Sequence, residues 1–258
     1  MLQVTPVRAF ADNYIWLIHS PRDHRKVVAV DPGDATPVSR ALADRNLELS
    51  GILVTHHHGD HVGGVAELLR QHSVPVFGPA RETVPGQPIP VREGERAEFG
   101  DLGLSFEVLD VPGHTAGHVA YVGGGSLFCG DTLFSAGCGR LFEGTAEQMA
   151  TSLDKMAALP PDTHVYCGHE YTVSNLKFSL AVEPDNEDAA SYLEECQERR
   201  ARDEATVPST VRRERNVNPF LRFRRHSVKQ AAEARAGRGL NPVEVFAVIR
   251  EWKDGFRS

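Results

Sequence analysis

Thr55-His56-His57-His58-Gly59-Asp60-His61 is the stretch from which the rest of the chain can be read. The run before it, Gly51-Ile52-Leu53-Val54, has the character of a short buried strand, and Val62, Val65, Ala66 and Leu69 after it lie on one helical face. The histidines and the aspartate therefore occupy a tight strand-to-helix turn, where several side chains can converge on one point at the end of a sheet. Imidazole nitrogen and carboxylate oxygen are good ligands for zinc and its borderline neighbours. A solvated loop rich in histidine is the alternative. A lone His-x-His would leave it open, but four candidate ligands within six residues, His56, His58, Asp60 and His61, argue strongly against it.

Further along, the same punctuation recurs. The alternating run Leu104-Ser105-Phe106-Glu107-Val108-Leu109 leads to His114 and His118, Ser126-Leu127-Phe128-Cys129-Gly130 runs into Asp131, and His164-Val165-Tyr166-Cys167-Gly168 runs into His169. Sites in layered α/β folds collect beyond the ends of strands, so this repetition implies one shared site built from distant segments. His57 and His118, each close to a proposed ligand, read as groups supporting the ligands. His19, His24, His72, His164 and His226 lack the strand-end context and read as surface or structural residues.

Seven ligands, His56, His58, Asp60, His61, His114, Asp131 and His169, are too many for one tetrahedral ion and suit two ions sharing a carboxylate. His56, His58 and His114 can take one ion, Asp60, His61 and His169 the other, and Asp131 is the natural bridge. A water shared by two such ions loses a proton near neutral pH and becomes a nucleophile. Asp60 and Asp131 are catalytic in that sense, and open coordination positions imply hydrolysis or oxygen chemistry. The expected cofactors are two divalent ions, zinc first, with iron or manganese as alternatives.

Composition sets the frame. The 258 residues, 41% hydrophobic and 24% charged, belong to a globular protein with a real core, and the net charge of -7 argues against a nucleic-acid partner. Met1 to Arg8 lacks the apolar core of a signal peptide and no apolar run is long enough to span a bilayer, so no membrane partner and a cytoplasmic location are expected. Cys129, Cys138, Cys167 and Cys196 form no Cys-x-x-Cys pair and read as free thiols, with Cys129 and Cys167 inside apolar strands.

The first half is strand-rich. Tyr14 to Ile18 and Lys26 to Val30 predict a hairpin across Ser20-Pro21-Arg22-Asp23, Pro37 to Arg45 has helical spacing, Val74 to Phe77 is a short strand, and Pro79 to Pro90 reads as surface loop. From about Val173 strand signals stop and helix formers take over. The last helix is marked by Asn241 as cap, Pro242 at the first position and Glu244 reaching back, with Val245, Val248, Ile249 and Trp252 as its buried stripe. Arg250 and Lys253, three apart on its flank, are on spacing alone ordinary solvated charges near a helix C-terminus.

Taken together these residues resemble the metallo-β-lactamase superfamily, marked by His-x-His-x-Asp-His and a distant His, Asp and His. Gly137-Cys138-Gly139-Arg140, Cys167-Gly168-His169-Glu170-Tyr171-Thr172, Asn175-Leu176-Lys177-Phe178, Val207-Pro208-Ser209-Thr210 and Asn218-Pro219-Phe220 narrow the resemblance to the hydroxyacylglutathione hydrolases, or glyoxalase II family. It extends from Asp12-Asn13-Tyr14 to Arg250-Glu251-Trp252-Lys253, nearly the whole chain.

The resemblance implies an α/β (α+β) fold: an αββα sandwich over residues 1–173 and a smaller helical, glutathione-binding domain over 174–258. It implies hydrolysis of S-D-lactoylglutathione to D-lactate and glutathione, with the substrate's glycine carboxylate held by Arg140, Arg250, Lys253 and Tyr171; this reverses the solvated reading of Arg250 and Lys253. Three positions depart from the family: Gly59 stands where a larger residue is usual, loosening the turn, Arg140 replaces a lysine, and Phe142 replaces a tyrosine and removes one hydroxyl contact. A monomer acting on a small glutathione thioester is expected. The competing readings are a glutathione-persulfide dioxygenase with one iron on the same scaffold, disfavoured by retention of Asp60, His61 and His169, and an inactive glutathione-conjugate binding protein, which should have lost a ligand. All seven are present.

Overall fold

The computed structural model describes residues 2–257. The first sheet is laid down in chain order. β1 (Val4–Ala9), β2 (Asn13–His19) and β3 (Lys26–Val30) form an antiparallel meander; α1 (Ala35–Asp44) crosses to β4 (Glu48–Leu53); one-turn α2 (Gly59–Val62) and α3 (Val65–Gln71) lead to β5 (Val76–Pro79) and β6 (Ile89–Val91). Strand order is β1-β2-β3-β4-β5-β6, parallel from β3 onward.

The second sheet begins with the antiparallel β7 (Arg96–Phe99), β8 (Leu104–Asp110), β9 (Val119–Gly123) and β10 (Ser126–Gly130). A small hairpin, β11 (Leu133–Phe134) and β12 (Gly137–Cys138), and α4 (Ala146–Ala157) precede β13 (His164–Cys167), which is parallel to β10. After α5 (Thr172–Val182) and α6 (Glu187–Ala201), β14 (Ser209–Thr210) returns to pair with β13, and α7 (Val211–Val217), α8 (His226–Ala236) and α9 (Pro242–Gly255) complete the chain. The order is β14-β13-β10-β9-β8-β7.

The period of two along each strand assigns its faces. Ile15 and Leu17 of β2, with Val27, Ala29 and Ile52, pack on Val38, Leu42, Val65 and Leu68 of α1 and α3. Trp16, Ile18, Val28, Val30 and Leu53 face the other way and join Phe106, Val108, Tyr121 and Phe128 of the second sheet. With both faces covered, β2 and β3 read as near-continuous apolar runs. Full burial of one such large side chain contributes roughly 1.5–3 kcal/mol.

Four features differ from what the local sequence predicts. The helix expected over 62–69 starts earlier, at Gly59, and is interrupted at Gly63-Gly64, so Asp60 and His61 sit on α2 itself. A Cβ on Gly63 or on Gly64 would lie 2.6 Å from the carbonyl oxygen of Gly33 or Pro32, and the chain crosses there backbone to backbone. Pro79 and Pro90, expected to bound a surface loop, instead stand in β5 and β6, Pro90 at the sheet edge, where a strand tolerates a missing N–H. The C-terminal region, expected to be helical only, lends β14 to the second sheet. In α9 the capping box and Pro242 are as expected, but Phe246 is fully buried and Val248 and Trp252 only partly, because the helix turns a different flank inward.

Candidate binuclear metal centre

β8 and β10 are each antiparallel to β9, and β13 is parallel to β10, so all three point the same way and deliver His114, Asp131 and His169 to one rim. β4 of the other sheet delivers His56 to the same rim. Cross-sheet hydrogen bonds fix the alignment: Val119 N–H donates to Thr55 O at 2.9 Å, Tyr121 O–H to Val54 O at 2.7 Å, and Tyr14 N–H to Gly168 O at 2.8 Å. Glycine precedes two of the arriving residues for steric reasons. Gly130 has φ +47°, and a Cβ on Gly168 would lie 2.5 Å from Asp131 Oδ1 and 2.7 Å from His61 Cε1.

All seven sequence-identified residues meet there. The donor atoms of His56, His58 and His114 lie within 4.8 Å of one another, and so do those of Asp60, His61 and His169. Asp131 stands between the trios: Oδ1 is 3.3 Å from His61 Nε2, while Oδ2 is 3.5 Å from His114 Nε2 and 3.2 Å from His169 Nε2.

The donor set fits metal ions. Among the described residues buried His56 Nε2 has no hydrogen-bond partner, and buried His61 Nε2 and Asp131 Oδ1 face each other at 3.3 Å outside hydrogen-bond geometry, an arrangement that is costly unless something binds them. Meanwhile the back nitrogens are held. Nδ1 of His61 is 3.1 Å from Asp31 Oδ2, that of His169 2.7 Å from Asp12 Oδ1, and that of His114 2.9 Å from Arg140 O. His56 Nδ1 is 3.0 Å from Thr55 Oγ1, whose hydroxyl donates to Asp31 Oδ2 at 2.7 Å. Such outer acceptors select the tautomer with a free lone pair turned inward. Burial, and then neighbouring His61 and His118, push the His56 imidazole well below its ordinary range, leaving it neutral as a ligand must be. Asp131 is pushed up by burial but held well below the carboxylate range by His61 and His169. At His169 burial is outweighed by Asp131, Asp60 and Asp12, which raise it to about 10: the same carboxylates favour positive charge there, so a proton and a metal cation would compete for that nitrogen.

His57 and His118 take supporting places. His118 is buried, stacks on His56 at 4.5 Å and accepts from Asp131 N–H at 3.3 Å, while His57 turns to Glu82. His19 is a structural histidine, 2.9 Å from Thr5 Oγ1 and 2.7 Å from His24 O. Sequence reading passed over Asp12, Asn13, Asp31 and Glu82. Asn13 Nδ2 donates to Asp60 Oδ2 at 3.0 Å. Their only local signal is a turn setting, Asp12-Asn13 and Asp31-Pro32-Gly33, which turns share everywhere.

A cavity of about 470 Å³ opens over the trios, lined among others by Phe134, Arg140, Phe142, Tyr171, Arg250 and Lys253. Tyr171 stacks on His169 at 4.8 Å, and Phe142, 63% exposed, meets His58 and His114 in T-shaped contacts at 5.7 and 5.2 Å. The solvated reading of Arg250 is wrong: it is 5% exposed, donating from Nη1 to Cys138 O at 2.7 Å and from Nη2 to Asp254 at 3.0 Å, because α9 packs that flank on the β11–β12 hairpin. Lys253 Nζ reaches Ser174 O at 3.2 Å. Burial, and then Arg250, lower its pKa to about 8. Cys138 also lines the cavity, but burial raises its thiol to about 11 despite Arg250, so it is no thiolate nucleophile near neutral pH.

Residues 10–169 match the family model of the metallo-β-lactamase superfamily, and residues 170–256 that of the hydroxyacylglutathione hydrolase C-terminus. The chain is 55% identical over 257 residues to the hydroxyacylglutathione hydrolase of Aliivibrio fischeri (strain MJ11), covering 99% of this chain and 100% of that one. It is 56% identical over 255 residues to the enzyme of the same name from Alkalilimnicola ehrlichii, covering 98% and 99%. Among solved structures, TTHA1623 in a di-iron-bound form superposes with a TM-score of 0.55 at 31% identity, over 64% of this chain and 91% of that one. Sandwich, paired His/Asp clusters and C-terminal helices agree with these matches from end to end, and the chain belongs to the hydroxyacylglutathione hydrolase family of the metallo-β-lactamase superfamily.

Proposed function

We propose that this enzyme hydrolyses S-D-lactoylglutathione and related 2-hydroxyacylglutathione thioesters to the hydroxy acid, D-lactate, and glutathione, the second step of methylglyoxal detoxification. The observation that carries the reading is the juxtaposition of two ligand trios around Asp131 with a basic wall of Arg140 and Lys253 in one cavity. His56, His58 and His114 would hold one ion and Asp60, His61 and His169 the other, with Asp131 shared, and zinc suits the nitrogen and oxygen donors. Bound there, two divalent ions lower the pKa of water and stabilise negative charge on a carbonyl oxygen.

The chain's own residues supply orientation. Asp31, Asp12 and the Arg140 carbonyl hold the rings of His61, His169 and His114. Asn13 holds Asp60. Arg140 and Lys253 meet the carboxylate of the glutathione moiety, Tyr171 lies against it, and Arg250, committed to Cys138 and Asp254, acts by holding the hairpin and Asp254 in place. The thiol leaves without a strong general acid, since free thiols have a pKa of about 8.5.

We assign residues 1–173 to the catalytic unit and 174–258 to the substrate-binding unit. Support comes from Ser174, Asn175, Arg250, Lys253 and Phe256, which line the same cavity as His58, Asp60 and Asp131. A monomer suffices, as one chain's residues line the cavity, and four free buried cysteines suit the reducing cytoplasm. The test is loss of thioester absorbance with S-D-lactoylglutathione, with metal content measured on the same sample. Rapid turnover requiring about two ions per chain and abolished by Asp131→Ala is expected. A fully metallated sample that leaves the thioester intact but consumes oxygen with glutathione persulfide would sink the reading.

A further inference from the structure

One buried carboxylate outside the ligand set joins the loops that carry His56, His58 and His114. Glu82 lies between β5 and β6, its side chain only 3% exposed. Its Oε2 accepts from the His57 backbone N–H at 2.6 Å and lies 3.0 Å from His57 Nδ1. Its Oε1 accepts from the Gly117 N–H at 3.0 Å and from the Thr115 hydroxyl. Both donors to the first oxygen belong to the residue between His56 and His58, and both donors to the second follow shortly after His114. The fit is close: a Cβ on Gly117 would lie 2.6 Å from Glu82 Cγ. On the outer side His57 Nε2 is 3.2 Å from Glu143 Oε1, and Glu143 Oε2 accepts from Ala116 N–H at 2.8 Å, bracing the same two loops again.

We propose that Glu82 is a positioning residue for one half of the metal centre: it sets the separation of the His56–His58 loop from the His114 loop and so governs the ion held by that trio. The other half makes no contact with Glu82: Asp12 stands behind His169 and Asp31 behind His61, Asp31 also reaching His56 through the Thr55 hydroxyl, so what Glu82 alone sets is the spacing of the two loops. The inference rests on the ligand assignment under the proposed function. Its physical basis is that ligands must be held to within about 0.5 Å, and that loss of an outer partner costs about 10- to 100-fold in metal affinity.

The experiment compares Glu82→Gln, His58→Ala and Val84→Ala with the parent holoenzyme, reading metal ions per chain during chelator competition, the absorption spectrum of the cobalt-loaded protein, and the melting temperature. Glutamine keeps the volume of Glu82 but turns one acceptor into an N–H that faces donors. Glu82→Gln is expected to surrender one ion at about 10- to 100-fold less chelator and to change the cobalt bands of one site while keeping the second ion. Val84→Ala opens a cavity in the same loop and should lower the melting temperature with both ions retained. Should the glutamine variant fail to accumulate, Glu82→Asp, which withdraws the charge by one methylene, gives the same readings. Glu82 variants that hold both ions with parental chelator resistance and cobalt spectrum overturn the proposal. If His58→Ala also keeps both ions, the ligand assignment itself fails; if it loses one, only the role of Glu82 does.

Discussion

Gly59 stands between His58 and Asp60 at the first position of α2, and a Cβ there would meet nothing within 4 Å. Neither space nor a positive φ demands glycine, so the looseness expected of it resides in the unfolded chain. Gly59→Ala should stabilise the protein by about 0.4–1 kcal/mol in denaturant melts at unchanged metal content; a loss of stability or of metal would mean the turn uses that freedom. Lys253 makes a second prediction. A carboxylate docking against it favours the ammonium, so binding takes up a proton above about pH 8 and affinity falls as pH rises through that value. Below it the charge is already present and affinity is flat. KM for the glutathione thioester, measured on both sides of that pH, should show this step, and Lys253→Gln should remove it.

At the scale of elements, the β11–β12 hairpin that follows Asp131 is clasped from the C-terminal region. Asn175 Nδ2 donates to Ser135 O at 3.0 Å, Asn218 Nδ2 to Gly137 O at 2.9 Å, and Ala136 N–H donates to buried Glu214 at 2.8 Å. Another tie is tighter. Glu183, capping α5, accepts from Arg222 Nε at 2.7 Å and Nη2 at 2.9 Å and from Ser227 at 2.5 Å, its side chain 4% exposed. Glu183→Ala removes the partner of a largely buried arginine and should cost about 1.5–3 kcal/mol. Asp154→Ala, which breaks a solvent-exposed pair with Arg224, should cost less than about 1 kcal/mol in the same denaturant melts; equal costs would contradict the burial argument. The α9 cap was legible in sequence because capping lies within four consecutive residues. The break at Gly63-Gly64 was not, because its cause, the 32–35 backbone, lies some thirty residues away.

Across the whole molecule the proposed catalytic and substrate-binding units share one core. Tyr166, Phe134 and Met149 belong to the same cluster as Phe178, Phe220, Phe246 and Ile249, and β14 pairs His164 with Thr210 and Val165 with Ser209. Residues 1–173 expressed alone should therefore show no cooperative melt by circular dichroism; a cooperative transition would prove the core divisible. What the sequence determined by itself was the chemistry. Ligand types at 56, 58, 60 and 61, and strand ends preceding His114, Asp131 and His169, are local patterns that steric and coordination rules make readable. Tertiary structure alone decided which ring nitrogens turn inward, that Asp12 and Asp31 stand behind them, that Glu82 ties His57 to the loop after His114, and that Arg250 is buried on Cys138. Each of those is a contact between residues remote in the chain, set by how two sheets and a returning strand pack, and no local window of sequence contains both partners.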